Sequence, residues 1–171
     1  MPRIAYVNGR YVPHSEAGVH IEDRGFQFAD GVYEVCEIRH GVIVDLTRHL
    51  DRLDRSLAEI RIPQPMARAA LKGIIREVAR RNRVRNGLFY LQVTRGAARR
   101  DHVFPAPETA PTVVVTAKST DPKIIAAKNA HGLKAITLPD NRWERVDVKT
   151  VGLLPNVLAR AQRGETVNVA Y

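Results

Sequence analysis

A chain of 171 residues has room for one ordinary domain with a hydrophobic core, or for one small domain and part of a second. Its 44% hydrophobic and 26% charged content is that of a soluble globular protein, and no apolar run approaches the ~20 residues a membrane span needs. The formal charge of +9 raises nucleic acid as a partner. However, the densest basic stretch, "REVARRNRVR" (Arg76, Arg80, Arg81, Arg83, Arg85), lies on the polar side of a predicted helix and beyond its end, without interleaved aromatics. A solvated, dipole-favoured helix end is the expectation there, and a basic nucleic-acid-binding module the alternative.

The opening "MPRIAYVNGRYV" lacks a basic patch followed by an apolar stretch, so no signal peptide and a cytoplasmic location are expected. Residues 4 to 12, "IAYVNGRYV", predict a hairpin around Asn8-Gly9, a type I′ turn signal. "GVYEVCEIR" (31 to 39) alternates as a strand that carries the single cysteine, Cys36, as a buried thiol; a turn at His40-Gly41 returns the chain through "VIVD". Residues 46 to 60 predict a helix with Leu46, Leu50, Leu53, Leu57 and Ile60 on one stripe and Asp45 as N-cap. After Pro63 and Pro65, a second helix from about Met66 to Arg81 turns Leu71, Ile74, Ile75 and Val78 inward. "GLFYLQVTR" and "PTVVVTA" predict two strands joined by a polar loop. Residues 1 to 118 thus form an expected α+β domain, an antiparallel sheet with two helices on one face.

Residues 119 to 132, "STDPKIIAAKNAHG", predict a linker. Strands at "LKAITLP" and "RVDVKTV" and a helix opening at "LLPNVLARAQ", with Pro155 in its first turn, make residues 133 to 171 the incomplete start of a second, mostly β domain.

Metal binding has no support in the pattern, since the six histidines have neither HExxH spacing nor cysteine partners. GxSxG, GxGxxG and GxxxxGK[ST] are absent, so neither a serine hydrolase nor a glycine-rich phosphate cradle is expected. Lys149 stands out because only six of the 27 basic residues are lysines and this one sits in an alternating apolar run. Two readings of it are open on spacing alone: a lysine on the solvent face of a strand, or an amine that desolvation makes available to form a Schiff base with a carbonyl.

"EDRGFQFADGVYEV" (22 to 35), "HLDRL" (49 to 53), "YLQVTRGAARRDHVFP" (90 to 105) and "RWERVDVKTVGLLPNVLA" (142 to 159) occur in this order, and together they span nearly the whole chain to about Ala161. The set resembles the class IV, or fold type IV, aminotransferases, and within them the D-amino-acid transaminases. The resemblance implies a pyridoxal 5'-phosphate enzyme that moves an amino group from a D-amino acid such as D-alanine to a 2-oxo acid. It implies that Lys149 holds the cofactor as an internal aldimine and, once released, shuttles the proton as acid and base. Arg52 matches the arginine on the cofactor phosphate; its other reading is a solvated arginine, with no carboxylate three or four residues away and Asp51 paired with Arg55 instead. Arg100 and His102 match the pair that with Tyr33 traps the substrate carboxylate; the family takes the arginine and histidine from the neighbouring subunit, so a homodimer is implied. The other readings are a basic surface loop and a packed strand aromatic. Branched-chain aminotransferases and aminodeoxychorismate lyases share the lysine and arginine and are the alternatives on this fold.

After "LLPNVLARAQ" the family continues to a glutamate on the pyridine nitrogen. Glu165 is the one carboxylate after Lys149 and falls where the family has helix, so it is not matched to that role. A truncated relative of low activity is therefore a further expectation.

Overall fold

The computed structural model describes residues 3–106, 109–132, 134–161 and 167–170, and Glu165 lies outside these. Six strands form one antiparallel sheet: β1 (Ile4–Val7), β2 (Arg10–Pro13), β3 (Gly31–Arg39), β4 (Val42–Ile43), β5 (Gly87–Thr94) and β6 (Thr112–Ser119), in the order β2-β1-β6-β5-β3-β4. Asn8 and Gly9 both take positive φ, 44° and 91°, which the two-residue turn between β1 and β2 requires. β3 and β5 pair along eight residues, from Gly31 opposite Thr94 to Ile38 opposite Gly87.

Among the described residues the chain forms five α-helices: α1 (Arg24–Phe28), α2 (Leu46–Glu59), α3 (Arg68–Arg81), α4 (Pro122–His131) and α5 (Leu154–Ala161). The core lies between the sheet and α2 with α3. Leu50, Leu53 and Leu57 of α2 and Leu71, Ile75 and Val78 of α3 are buried with Val32, Cys36 and Ile38 of β3 and Phe89, Leu91 and Val93 of β5. Both helical stripes follow the 3.6-residue period read from the sequence, while Leu46, Ile60 and Ile74 are partly buried at its margins. The arrangement is the expected α+β one.

Several local expectations are corrected. Asp45 precedes α2 but has φ 51°, and its side chain makes no capping bond, because the left-handed backbone does not have the extended geometry an N-cap needs. Asp51 pairs with Arg68 of α3 at 2.7 Å, not with Arg55, which donates to the Asp147 carbonyl at 3.1 Å. Cross-element partners replace the local pair. Within residues 119 to 132, the expected linker, the one unforeseen feature is a helix, α4, capped by the Asp121 side chain on the Lys123 N–H at 2.9 Å with Pro122 in its first turn. β7 (Lys134–Thr137) stands where "LKAITLP" predicts a strand, and it pairs in parallel with β8 (Val167–Ala170).

"RVDVKTV" is not a strand. Residues 145 to 148 form a turn, with the Val148 N–H on the Arg145 carbonyl at 3.1 Å, and Arg145 is clamped by Glu59 at 2.7 Å and Asp147 at 3.0 Å. Only residues 149 to 151 run extended, against the edge of β3. The Tyr33 N–H donates to the Lys149 carbonyl, and the Val151 N–H to the Gly31 carbonyl, both at 3.1 Å. No helix among the described residues is long and apolar enough to cross a membrane.

Candidate active site

Strand parity divides the side chains of β3. Val32, Glu34, Cys36 and Ile38 face the helices and are buried, whereas Tyr33 points to the other face and is half-buried. There the Tyr33 ring stacks on Tyr90 of β5, with centroids 5.6 Å apart and planes at 26°. Burial, with Tyr33 beside it, pushes the Tyr90 hydroxyl up to about 12.

The backbone bonds between residues 149 to 151 and β3 bring the half-buried Lys149 side chain over Tyr33. Its Nζ donates to the Tyr33 hydroxyl at 3.3 Å and sits 4.3 Å from the ring centroid. A third tie comes from α2, where Ser56, 1% exposed, accepts the Lys149 N–H on Oγ at 3.4 Å. Tyr33, Lys149, Thr150, Trp143, Gly152 and Asn156 line a cleft of about 170 Å³ at this point.

Arg52 lies four residues before Ser56 on the same face of α2, about 6 Å along the helix. The sequence offers it no carboxylate neighbour on the helix, yet the structure supplies one from β3. Arg52 Nε and Nη2 donate to the two oxygens of Glu34, both at 2.6 Å, and His49 Nδ1 is 2.8 Å from Glu34 Oε2. Glu34 is 1% exposed, and its bonds hold the Arg52 guanidinium above its usual range. Among the described residues Nη1 of Arg52 carries no hydrogen bond, so part of the fork remains available to an anion.

Arg100 and His102 lie elsewhere. Both side chains are exposed and gather around Phe28: the His102 ring is 5.4 Å from it edge-on, and Arg100 Cζ is 5.2 Å from its centroid. Their contacts include neither Tyr33 nor Lys149. His102 borders a second cavity of about 640 Å³ with Arg24, Phe28, Phe104, Trp143 and Thr150. Thr150 and Trp143 border both spaces. Of the five sequence-derived residues, one chain thus brings Tyr33 and Lys149 into contact and sets Arg52 a helical turn from Ser56, bound to Glu34 and outside the lining of the cleft.

Sequence reasoning missed Glu34, His49 and a buried cluster in which Asp30 binds both Arg24 and Arg95. Glu34 had a signal, a carboxylate in phase with Val32, Cys36 and Ile38 on the inward face. Arg24 and Asp30 lie inside "EDRGFQFADG", where no periodicity marks them.

Residues 31–167 match the family described as Amino-transferase class IV. The chain belongs to this class IV aminotransferase family. Among curated relatives it is 38% identical over 174 residues to a D-alanine aminotransferase of Staphylococcus haemolyticus, covering 95% of this chain and 61% of that protein. It is 42% identical over 158 residues to the D-alanine aminotransferase of Bacillus licheniformis, covering 92% and 55%. The fold matches, with a TM-score of 0.73 and 23% identity, a hypothetical aminotransferase from Mycobacterium tuberculosis solved in its PLP-bound form, over 98% of this chain and 61% of that one. The chain therefore spans about 55 to 61% of the length of these proteins.

Proposed function

We propose that this chain serves a pyridoxal 5'-phosphate-dependent transaminase acting on a D-amino acid and a 2-oxo acid, with Lys149 as its covalent cofactor residue. The observation that carries the reading is the Lys149 Nζ held 3.3 Å from the Tyr33 hydroxyl in a cleft at the sheet edge. The identity of 38 to 42% with D-alanine aminotransferases supports the choice of substrate class.

The residues present fit the cofactor. Among the described residues Lys149 offers the only lysine amine of this cleft, and Arg52 offers unused guanidinium donors one helical turn from Ser56, where a phosphate would be bound by a charge-assisted fork. When bound, pyridoxal phosphate supplies an aldehyde that condenses with amines and a ring that withdraws electrons from the substrate Cα. Lys149 Nζ would take the proton from that Cα as base and, as acid, give it to the cofactor's C4′. The Tyr33 hydroxyl, a donor and acceptor in one group, fixes the amine and can donate to a substrate carboxylate.

Arg100 and His102 of a second copy complete the carboxylate site in this reading. Their exposure, and their separation from Lys149 within one chain, favour a homodimer that exchanges these loops. Residues 1 to 118 form the first domain, 119 to 132 the connection and 133 to 171 the start of the cofactor-binding domain. The grouping of β1 to β6 in one sheet and of β7 with β8 in another supports that division. The proposed location is cytoplasmic.

Adding pyridoxal phosphate to the purified protein and recording its visible spectrum tests the assignment, with Lys149→Ala as control. A new absorbance that requires Lys149 is expected; equal spectra for both proteins would refute the role of this lysine.

A further inference from the structure

The segment "EDRGFQFADG" has a structural task that the preceding reading leaves unassigned. Asp23, 1% exposed, caps α1 by accepting the Gly25 and Phe26 N–H groups, and accepts the Thr94 hydroxyl on its second oxygen at 2.8 Å. α1 is thereby fixed to the end of β5. Arg24, 3% exposed, donates from Nε to Asp30 at 2.8 Å and from Nη1 to the carbonyl of Asp101 at 2.6 Å. Asp101 is the residue between Arg100 and His102. The loop is also tied at its base, where the Arg24 N–H donates to the Gly96 carbonyl at 2.9 Å and the Ala98 N–H to the Glu22 carbonyl at 3.3 Å.

At the other end of α1, the Phe28 ring meets three groups: the His102 ring at 5.4 Å, Arg100 Cζ at 5.2 Å and Arg24 Cζ at 4.9 Å. Exposed arginine and histidine side chains otherwise lose much of their directional value to rotamer freedom. An aromatic face restricts both, through cation–π and edge contacts. Asp30 in turn is immobilised by Arg95, which takes both its oxygens at 2.7 and 3.0 Å and donates to the Ile60 and Arg61 carbonyls at the end of α2.

We propose that Arg24 and Phe28 are positioning residues for the Arg100 and His102 pair: Arg24, fixed by Asp30, holds the Asp101 carbonyl, and the Phe28 ring directs both side chains. The inference rests on the proposal that this pair binds the substrate carboxylate. It adds that the pair's geometry is set from within its own chain, by α1, before any second copy docks.

The full chain, labelled for nuclear magnetic resonance at histidine rings and backbone amides, tests this with Arg24→Met, Arg24→Lys and Phe28→Leu. Arg24→Met leaves Asp30 paired with Arg95, so no buried carboxylate is stranded. Phe28→Leu leaves every hydrogen bond of the anchor intact. In Arg24→Met and Phe28→Leu the His102 ring and Val103 amide signals are expected to move while those of Ala5 and Val115 in the sheet stay. The affinity for D-alanine, read from the His102 signal, is expected to fall about tenfold, the scale of one charge-assisted hydrogen bond. Arg24→Lys, which keeps a donor, should recover part of it. Unmoved loop signals in a folded variant would overturn the proposal, as would wild-type affinity despite moved signals. If Arg24→Met does not fold, Phe28→Leu decides by the same two criteria. A wild-type His102 signal that ignores D-alanine would instead sink the carboxylate role of the pair, and the anchor would then lose its functional meaning.

Discussion

Removing either partner of the Glu34–Arg52 pair should have unequal costs. Glu34 is 1% exposed at its side chain and Arg52 40%, so the two groups have different escapes once alone. Arg52→Met leaves a carboxylate inside the sheet–helix layer with His49 as its one remaining side-chain hydrogen-bond partner among the described residues, the situation of a broken buried pair, for which about 3 kcal/mol is the expected loss. Glu34→Gln leaves an arginine that can turn into water; the loss is then the difference between charged and neutral hydrogen bonds, about 1–2 kcal/mol. For a chain of 171 residues these correspond to melting points lower by about 6–12 °C and about 2–8 °C. Denaturant unfolding of the three proteins at pH 7 measures both losses. A Glu34→Gln loss as large as that of Arg52→Met at pH 7 would refute the argument from burial.

Stability should also fall in base. Burial pushes the Cys36 thiol from 9.0 up to about 12 and the Tyr90 hydroxyl from 10.0 up to about 12, so the folded chain keeps protons that the unfolded chain releases. The Cys36 contribution is whole below pH 9 and that of Tyr90 below pH 10; above those points each is lost at about 1.4 kcal/mol per pH unit up to pH 12, which unfolding midpoints across that window would report. Gly96→Ala is expected to cost about 3 kcal/mol, since φ is 96° there and an added Cβ overlaps the Ala110 carbonyl oxygen; thermal unfolding tests it. Asp23→Ala should cost about 2 kcal/mol by the same measurement, through loss of the α1 cap and of the Thr94 hydroxyl's acceptor.

What the sequence revealed and what it hid follow from how far each signal reaches along the chain. The hairpin at Asn8-Gly9, the strand 31 to 39 and the two long helices depend on local turn chemistry or on a repeating period, and all of them formed. α1 spans five residues, fewer than two turns, and so has no period to detect. α4 has no buried residue and hence no apolar stripe; its Asp121-Pro122 start reads equally well as a turn. The Lys149 segment alternates in residue type, but Val148 is buried while Val146 is 49% exposed, so in the turn the two valines do not share the one face that a strand would give them. Residues of the candidate site were recognisable only as members of ordered motifs. Their partners were not, because Glu34 reaches Arg52 across 18 positions and Arg24 reaches the Asp101 carbonyl across 77.

The contact between Lys149 and Tyr33 closes a span of 116 residues. Its entropy cost grows only with the logarithm of that length, so equilibrium tolerates it well. Kinetics treats it differently, because pairings so distant in sequence form after the local hairpin and helices and after the β3–β5 ladder that gives residues 149 to 151 an edge to join. During synthesis the strand and its tyrosine leave the ribosome long before the lysine does. The amine therefore meets the phenol only on a sheet already built, and partly folded chains carry an ordinary surface lysine in place of a prepared one.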